Sequence, residues 1–212
     1  MKLILAATDQ QLARAWTDHC GDLDNVSIHH GSILDLACDA VVSPANSYGF
    51  MDGGIDAAYV AHFGRAIQDR VRWAILTRHH GELLIGQAEI VETDNTAIPY
   101  LIAAPTMRVP MALGAETVNH YLAMRAILLL VRHGPFAAGR LAGQPIATHV
   151  GTIALPGLGT GVGRMPAELS ARQVRQAILD HADGKASLPT SWAEASETHQ
   201  LLYTSRPIRL QR

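Results

Sequence analysis

The chain has 212 residues, 48% of them hydrophobic and 17% charged, with a formal net charge of -2. That length and apolar content bury one substantial core, most simply in one domain with a short appendage. The charge balance excludes a generally basic protein that coats nucleic acid, so any anionic ligand must be gripped locally.

The N-terminal run Met1 to Ala7 is apolar but breaks off at Thr8-Asp9-Gln10-Gln11. It is too short for a signal peptide and reads as a buried first strand over 2–6. Asp9 is a good N-cap for a first helix reaching His19, which Gly21 can end. Strands are expected at 26–30 and 39–43. Helices follow at 53–62 and 64–79, the second carrying an apolar stripe of Ile67, Val71, Ala74 and Ile75 at i, i+4, i+7 and i+8. Strands at 85–92 and 98–104 come next, then a largely apolar helix from Glu116 to His133. Its most apolar run, Ala126 to Val131, is bounded by Arg125 and Arg132, far short of the roughly 20 residues that span a bilayer, so no membrane segment is expected. A strand at 148–155 precedes a last helix that starts after Pro166, with Glu168 near its N-terminus, and reaches His181. From Asp183 onward the pattern fails. Gly184, Ser187, Pro189, Thr190 and Ser191 mark a loop, and Leu201-Leu202-Tyr203 could add a strand at a sheet edge. The expected organisation is one domain over 1–182, with a C-terminal extension over 183–212 packed on it. Alternation of short β-branched runs with helical segments is the pattern of an α/β layer architecture with a largely parallel or mixed sheet.

Two loops carry the chemistry. In the first, the strand ending Val41-Val42-Ser43 empties into Pro44-Ala45-Asn46-Ser47-Tyr48-Gly49-Phe50-Met51-Asp52-Gly53-Gly54-Ile55-Asp56. The carboxyl end of a strand is where α/β sheets bind ligands. Asn46 offers donors and an acceptor to hydroxyls, Gly53 and Gly54 let the backbone approach a ligand, and Asp56 falls in the first turn of the next helix. An ordinary βα loop with an N-capping Asp would read the same way.

The second loop, Pro156-Gly157-Leu158-Gly159-Thr160-Gly161-Val162-Gly163, has glycine at every second position between a strand and a helix. Its backbone N–H groups can point at phosphate oxygens with help from the helix dipole. A Walker A loop needs Lys and then Ser or Thr after its last Gly, but Gly163 is followed by Arg164-Met165. A Rossmann fingerprint fails too, because the sixth position counted from Gly157, Gly159 or Gly161 is Val162, Arg164 or Pro166. A flexible glycine turn is the plain alternative, against which stands the regular alternation with Leu158, Thr160 and Val162.

Together the two loops resemble the macro domain family. The family's pattern is a Gly-Asp-Ile, an Asp-Ala leading a β-branched strand into an Asn-Ala-Ala-Asn-like turn, a Gly-Gly-Gly-Val-Asp helix start and a late Gly-x-Gly-x-Gly loop. The counterparts are Gly31-Ser32-Ile33, Asp39-Ala40-Val41-Val42-Ser43-Pro44-Ala45-Asn46, Asp52-Gly53-Gly54-Ile55-Asp56 and Ala154-Leu155-Pro156 running into the glycine loop, over about residues 26 to 182. The resemblance implies a three-layer αβα sandwich with a mixed, mostly parallel central sheet. It also implies ADP-ribose as ligand along the carboxyl edge of that sheet. Ser32 would then meet the adenine amine, with Ile33 beside it among the ligand-binding residues. Gly157, Gly159, Thr160, Gly161, Val162 and Gly163 would wrap the diphosphate. Asn46 and Asp56 would sit at the distal ribose as the catalytic candidates, with Gly53, Gly54 and Ile55 among the ligand-binding residues.

Three positions depart from the family pattern. Ser32 stands where the adenine amine would meet a carboxylate, and so offers a weaker neutral hydrogen bond. Asp52 replaces the first glycine of the triple. Arg164-Met165-Pro166 follows the late loop where an aromatic is frequent, leaving Tyr48 or Phe50 as an alternative apolar wall.

Other features weigh less. His29-His30 and His79-His80 lack the i, i+4 spacing that clamps zinc from one helix face, so no metal and no cofactor are expected. Arg108 could reach a phosphate or ribose, or be an ordinary solvated loop arginine. The two cysteines, Cys20 and Cys38, form neither a disulfide framework nor a CxxC pair, which fits a reducing, cytoplasmic compartment. Two functions are expected to compete. One is hydrolysis of ADP-ribosyl linkages on protein or nucleic acid, or of derivatives such as the 1''-phosphate or an O-acetyl ester. The other is a non-catalytic reader of ADP-ribose or another nucleotide diphosphate.

Overall fold

A computed structural model describes residues 1–44, 46–181 and 187–208. Its strands are β1 (Lys2–Ala7), β2 (Val26–His30), β3 (Ala40–Ser43), β4 (Glu89–Glu92), β5 (Tyr100–Ala103) and β6 (Thr152–Leu155). Its helices are α1 (Gln10–Cys20), α2 (Gly54–Phe63), α3 (Ala66–Arg78), α4 (Asn119–His133), α5 (Ala167–His181) and α6 (Trp192–Leu201). The strands form one six-stranded sheet in the order β2-β1-β6-β3-β5-β4. Every neighbouring pair is parallel except β4 with β5, so the sheet is mixed and mostly parallel, as expected.

Side-chain alternation along the strands builds the three layers. Leu3 and Leu5 of β1, Val42 of β3, Ile102 of β5 and Ile153 and Leu155 of β6 face a core shared with α1, α4 and α5. Their neighbours Ala6, Val41, Leu101, Ala103 and Ala154 face the other way, against Tyr59 of α2 and Ile67, Val71, Ala74 and Ile75 of α3. Period two in the strands and the helical stripe of α3 are therefore complementary, and burial of both sheet faces explains why the strands read as near-continuous apolar runs.

Three expected strands are shorter than their apolar runs, each for a local reason. Before β4, Gly86 has φ of 92° and Gln87 folds back on Leu84, its N–H donating to the Leu84 carbonyl, so pairing starts only at Glu89. At β5, Pro99 has no N–H for the ladder, which starts at Tyr100 opposite Glu92. Before β6, residues Ile146–Thr148 after Pro145 form a single 3-10 turn instead of strand.

The expected edge strand at Leu201-Leu202-Tyr203 is not formed. Leu201 ends α6, which is nucleated by a Ser-x-x-Glu start: Ser191 accepts from the Glu194 N–H at 3.1 Å, and the Glu194 carboxylate accepts from the Thr190 N–H at 2.7 Å. Beyond it, the Gln200 amide holds the chain end through Ile208, donating to its carbonyl at 2.9 Å and accepting from its N–H at 2.7 Å. The expected boundary at 182 and the loop residue Gly184 lie outside the described residues, as does Ala45. Among the described residues no helix is long and apolar enough to cross a membrane. Burial pushes the Cys20 thiol up to about 12 and the Cys38 thiol up to about 11, so both are packing groups rather than nucleophiles.

Candidate functional site

The carboxyl ends of five strands open into one cleft of about 500 Å³, within the usual range of small-molecule sites, roughly 300 to 1,000 Å³. It runs along the sheet edge from Gly31 and Ile33 after β2, past Ala7 to Asp9 after β1, to the glycine loop after β6. It then continues to Asn46 through Asp56 after β3 and to Thr106 and Met107 after β5.

The glycine loop has a marked polarity. Its carbonyls are used inward: Gly159 O accepts from Met165 N–H at 3.1 Å, Gly161 O from Arg164 N–H at 2.9 Å and Gly163 O from Leu113 N–H at 3.0 Å. Its N–H groups are not. Among the described residues, none from Gly157 to Gly163 has an acceptor within the protein. Unpaired N–H groups of this kind would be costly if buried in a dry core, and beside a cleft they form an anion cradle.

The glycines serve two purposes. A Cβ on Gly159, whose φ is 65°, would lie 2.2 Å from Nε2 of His120. A Cβ on Gly157 would meet the Thr160 hydroxyl at 2.3 Å, and one on Gly163 the Gly159 carbonyl at 2.4 Å. These three let the loop fold on itself and on α4. Gly161 lines the cleft, and a Cβ on it would have nothing within 4 Å. His120, fully buried beneath the loop, has no hydrogen-bond partner for either ring nitrogen among the described residues, and burial pushes its pKa down to about 4, so the ring is neutral. The Gln173 amide beside it is engaged elsewhere, donating to Thr117 O at 2.7 Å and accepting from Tyr121 N–H at 3.2 Å.

The β3 loop supplies a second set of donors. Gly53 caps α2 without a side-chain hydrogen bond, leaving the N–H groups of Gly54, Ile55 and Asp56 free, and Gly54 takes a left-handed φ of 56°. All four residues line the cleft. Asp56 is buried and accepts from the Ser43 hydroxyl at 2.5 Å. Burial pushes its pKa up to about 7, opposed by the Ser43 hydrogen bond and reinforced by the Asp52 charge.

Asn46 also lines the cleft, but most of its amide is engaged in its own loop. Oδ1 accepts from Tyr48 N–H at 3.1 Å and Phe50 N–H at 3.3 Å, while Nδ2 donates to Phe50 O at 2.9 Å. One Nδ2 hydrogen is left for a ligand. The same loop is stapled to α3, where Gln68 accepts from Met51 N–H at 2.8 Å and Arg72 lies 4.3 Å over the Phe50 ring. Phe50 reaches the cleft; Tyr48 does not, lying instead beneath Arg108. Arg108 is clamped by Glu82, with Nε donating at 2.6 Å, and takes no part in the cleft wall.

Thus Ile33, Asn46, Gly53, Gly54, Ile55, Asp56, Gly157, Gly159, Gly161, Val162 and Gly163 are brought together around one cleft. Ser32 and Thr160 are not part of its wall. The Ser32 hydroxyl caps the turn Ile33–Asp35 by accepting from Leu34 N–H at 3.2 Å, and the Thr160 side chain folds over Gly157. Sequence reasoning missed the wall that β1 contributes, namely Thr8, Asp9 and Leu12, because Asp9 already had a role as helix cap. Its place at the carboxyl end of a strand was the available signal.

The sequence pattern of the Macro domain family matches residues 42–174, well over half of the chain and both glycine-containing loops. The chain belongs to the macro domain family. An uncharacterized protein of Aquifex aeolicus is 30% identical to this macro domain over 73% of the chain and 81% of its own length. A Salmonella gallinarum protein named O-acetyl-ADP-ribose deacetylase is 28% identical over 74% of the chain and 81% of its own length. Among solved structures, a mutant Oceanobacillus iheyensis macrodomain with ADPR superposes with a TM-score of 0.57. It is 18% identical and is matched over 74% of this chain and 77% of that one. The macro domain fold thus extends over sequence too divergent to compare residue by residue. Among the described residues no group of three or more His, Cys, Asp or Glu could hold a metal ion.

Proposed function

We propose that this macro domain binds ADP-ribose along the sheet edge and hydrolyses a bond at its distal ribose. The observation that carries this reading is the convergence of two sets of acceptor-free N–H groups, from Gly157 to Gly163 and from Gly54 to Asp56, on a cleft with a buried carboxylate at one end. N–H groups suit a diphosphate, and the ADPR carried by the Oceanobacillus macrodomain supports the choice of ligand. The name of the Salmonella relative supports an ADP-ribose derivative as substrate, with an ADP-ribosyl linkage on protein or nucleic acid as the wider class.

Asp56 is then the base. Its ionised carboxylate takes a proton from water, the water oxygen bonds to the carbon under attack, and the bond to the leaving group breaks, the leaving group taking up a proton. Asn46 keeps the β3 loop in shape and gives its remaining N–H to a ribose hydroxyl. With Asp56 titrating near 7, turnover should rise with pH to a plateau above that value.

The test is turnover of ADP-ribosylated protein, ADP-ribosylated nucleic acid and O-acetyl-ADP-ribose by the wild type and Asp56→Ala. A loss of at least a hundredfold, consistent with general-base catalysis worth roughly 10² to 10⁴ in rate, is expected in the variant. Full turnover by Asp56→Ala removes Asp56 from the mechanism. Tight binding by the wild type with no turnover of any derivative makes the protein a reader, a reading favoured by how much of the Asn46 amide is committed to its own loop.

A further inference from the structure

Between the buried Met51 and the helix-capping Gly53 stands Asp52, exposed and part of the cleft wall. Both neighbours are anchored: Met51 N–H donates to Gln68 Oε1 at 2.8 Å, and the Gly53 carbonyl accepts from Ala57 N–H at 3.3 Å in the first turn of α2. The Asp52 carboxylate itself has no hydrogen-bond or ion-pair partner among the described residues. It stands close enough to the buried Asp56 for its charge to bear on that carboxyl. Arg72, the cation nearest this loop in contact terms, is engaged by the Tyr48 carbonyl at 3.1 Å and by the Phe50 ring, and is not part of the cleft wall. Phe50 and Val162, both exposed, add apolar surface to that wall.

We propose that Asp52 sets the charge of the substrate: it excludes derivatives with an anionic group on the distal ribose and admits those with an uncharged one, such as an acyl ester. The inference rests on the ADP-ribose reading and narrows its substrate. Two effects oppose each other at this end of the cleft. The acceptor-free N–H groups of Gly54, Ile55 and Asp56 favour an anion, as a helix N-terminus equivalent to about half a positive charge. Against them stand the whole negative charge of Asp52 and, above about pH 7, a second from Asp56. The carboxylates win, since among the described residues no Lys or Arg lines the cleft to offset them. The diphosphate is common to all these ligands and weighs on each alike, so the group on the distal ribose decides between them. Asp52 replaces the first glycine of the family's triple, which makes this selection a property of this chain.

The experiment is calorimetry on the full chain at about pH 8, with ADP-ribose and with ADP-ribose 1''-phosphate. At low salt the wild type should bind the 1''-phosphate about tenfold more weakly or worse, as like charges a few ångström apart at a protein surface require, and the gap should narrow as salt screens it. Asp52→Asn should close most of the gap, tightening the 1''-phosphate more than ADP-ribose. Asp52→Glu keeps the charge and should keep the gap. Equal wild-type affinity for the two ligands overturns the inference and leaves the proposed function standing. So does a gap that Asp52→Asn leaves unchanged, because bulk rather than charge would then be its cause. Release of inorganic phosphate from the 1''-phosphate by the wild type as fast as acetate from O-acetyl-ADP-ribose overturns it as well. Failure of the wild type to bind ADP-ribose overturns the ADP-ribose reading itself.

Discussion

Asp56 is the residue at which burial and chemistry pull hardest against each other. It is an acid whose pKa in the folded chain, about 7, lies well above the ordinary carboxylate value near 3.9, chiefly through desolvation. The folded protein therefore holds a proton, over the window from about pH 4 to 7, that the unfolded chain has released. The sign follows: the contribution of this group to stability is intact below the unfolded value and is lost as pH rises through the folded one. The slope is at most about 1.4 kcal/mol per pH unit. Asp56→Asn removes the titration while keeping an acceptor for the Ser43 hydroxyl, so its stability relative to wild type should improve from pH 5 to about pH 7 and then level off in urea unfolding. A difference that stays level across that range would mean Asp56 titrates as an ordinary surface acid. Asn46 shows the limit of reading single residues from sequence. Its place at a strand end was legible, but the closed ring it makes with Tyr48 and Phe50 was not, because a polar side chain's partner depends on how its own loop folds.

At the scale of elements, the sheet was legible because its strands are buried on both faces and read as apolar runs, and the main helices because their stripes are regular. What was not legible is where runs stop pairing. Gly86 and Pro99 end or delay strands through backbone geometry and a missing N–H, effects that apolar content overrides in a sequence reading. Helix α6 was overlooked although Ser191-x-x-Glu194 announces it, since the turn residues just before it suggested a loop. In the glycine loop the alternation was plain, but which glycines serve packing and which serve the cleft required the structure. That division is testable. Gly159→Ala combines a left-handed φ with a contact on His120 and should cost about 2–4 kcal/mol of stability. Gly161→Ala meets nothing in the protein and should leave stability within about 0.5 kcal/mol. Gly161 nonetheless lines the cleft, so ADP-ribose affinity should fall at least tenfold, a loss of about 1.4 kcal/mol. Thermal melting and calorimetry on the two variants check this; equal effects of both on stability would show that the division is wrong.

For the whole molecule, the near-neutral charge of -2 conceals an unusual arrangement at the cleft. Among the described residues no Lys or Arg lines it, whereas Asp9, Asp52 and Asp56 do. Two of the nearby arginines are engaged elsewhere, Arg108 with Glu82 and Arg72 with the Tyr48 carbonyl and the Phe50 ring. An anionic diphosphate would thus be held by N–H dipoles, which act over short range, while the net charges around it are repulsive and act over a Debye length of about 10 Å at 0.1 M salt. Added salt screens the repulsion more than the dipole contacts. ADP-ribose affinity should therefore stay level or rise between 50 and 500 mM sodium chloride, the opposite of a site built from lysine and arginine. Asp52→Asn should tighten binding at low salt and flatten the dependence, because Asp52 is exposed at the cleft and its charge already bears on Asp56. Calorimetry across a salt series reads both effects. A steep loss of affinity with salt in the wild type would mean that a cationic side chain moves in to meet the phosphates, and the dipole cradle would then be a secondary contributor.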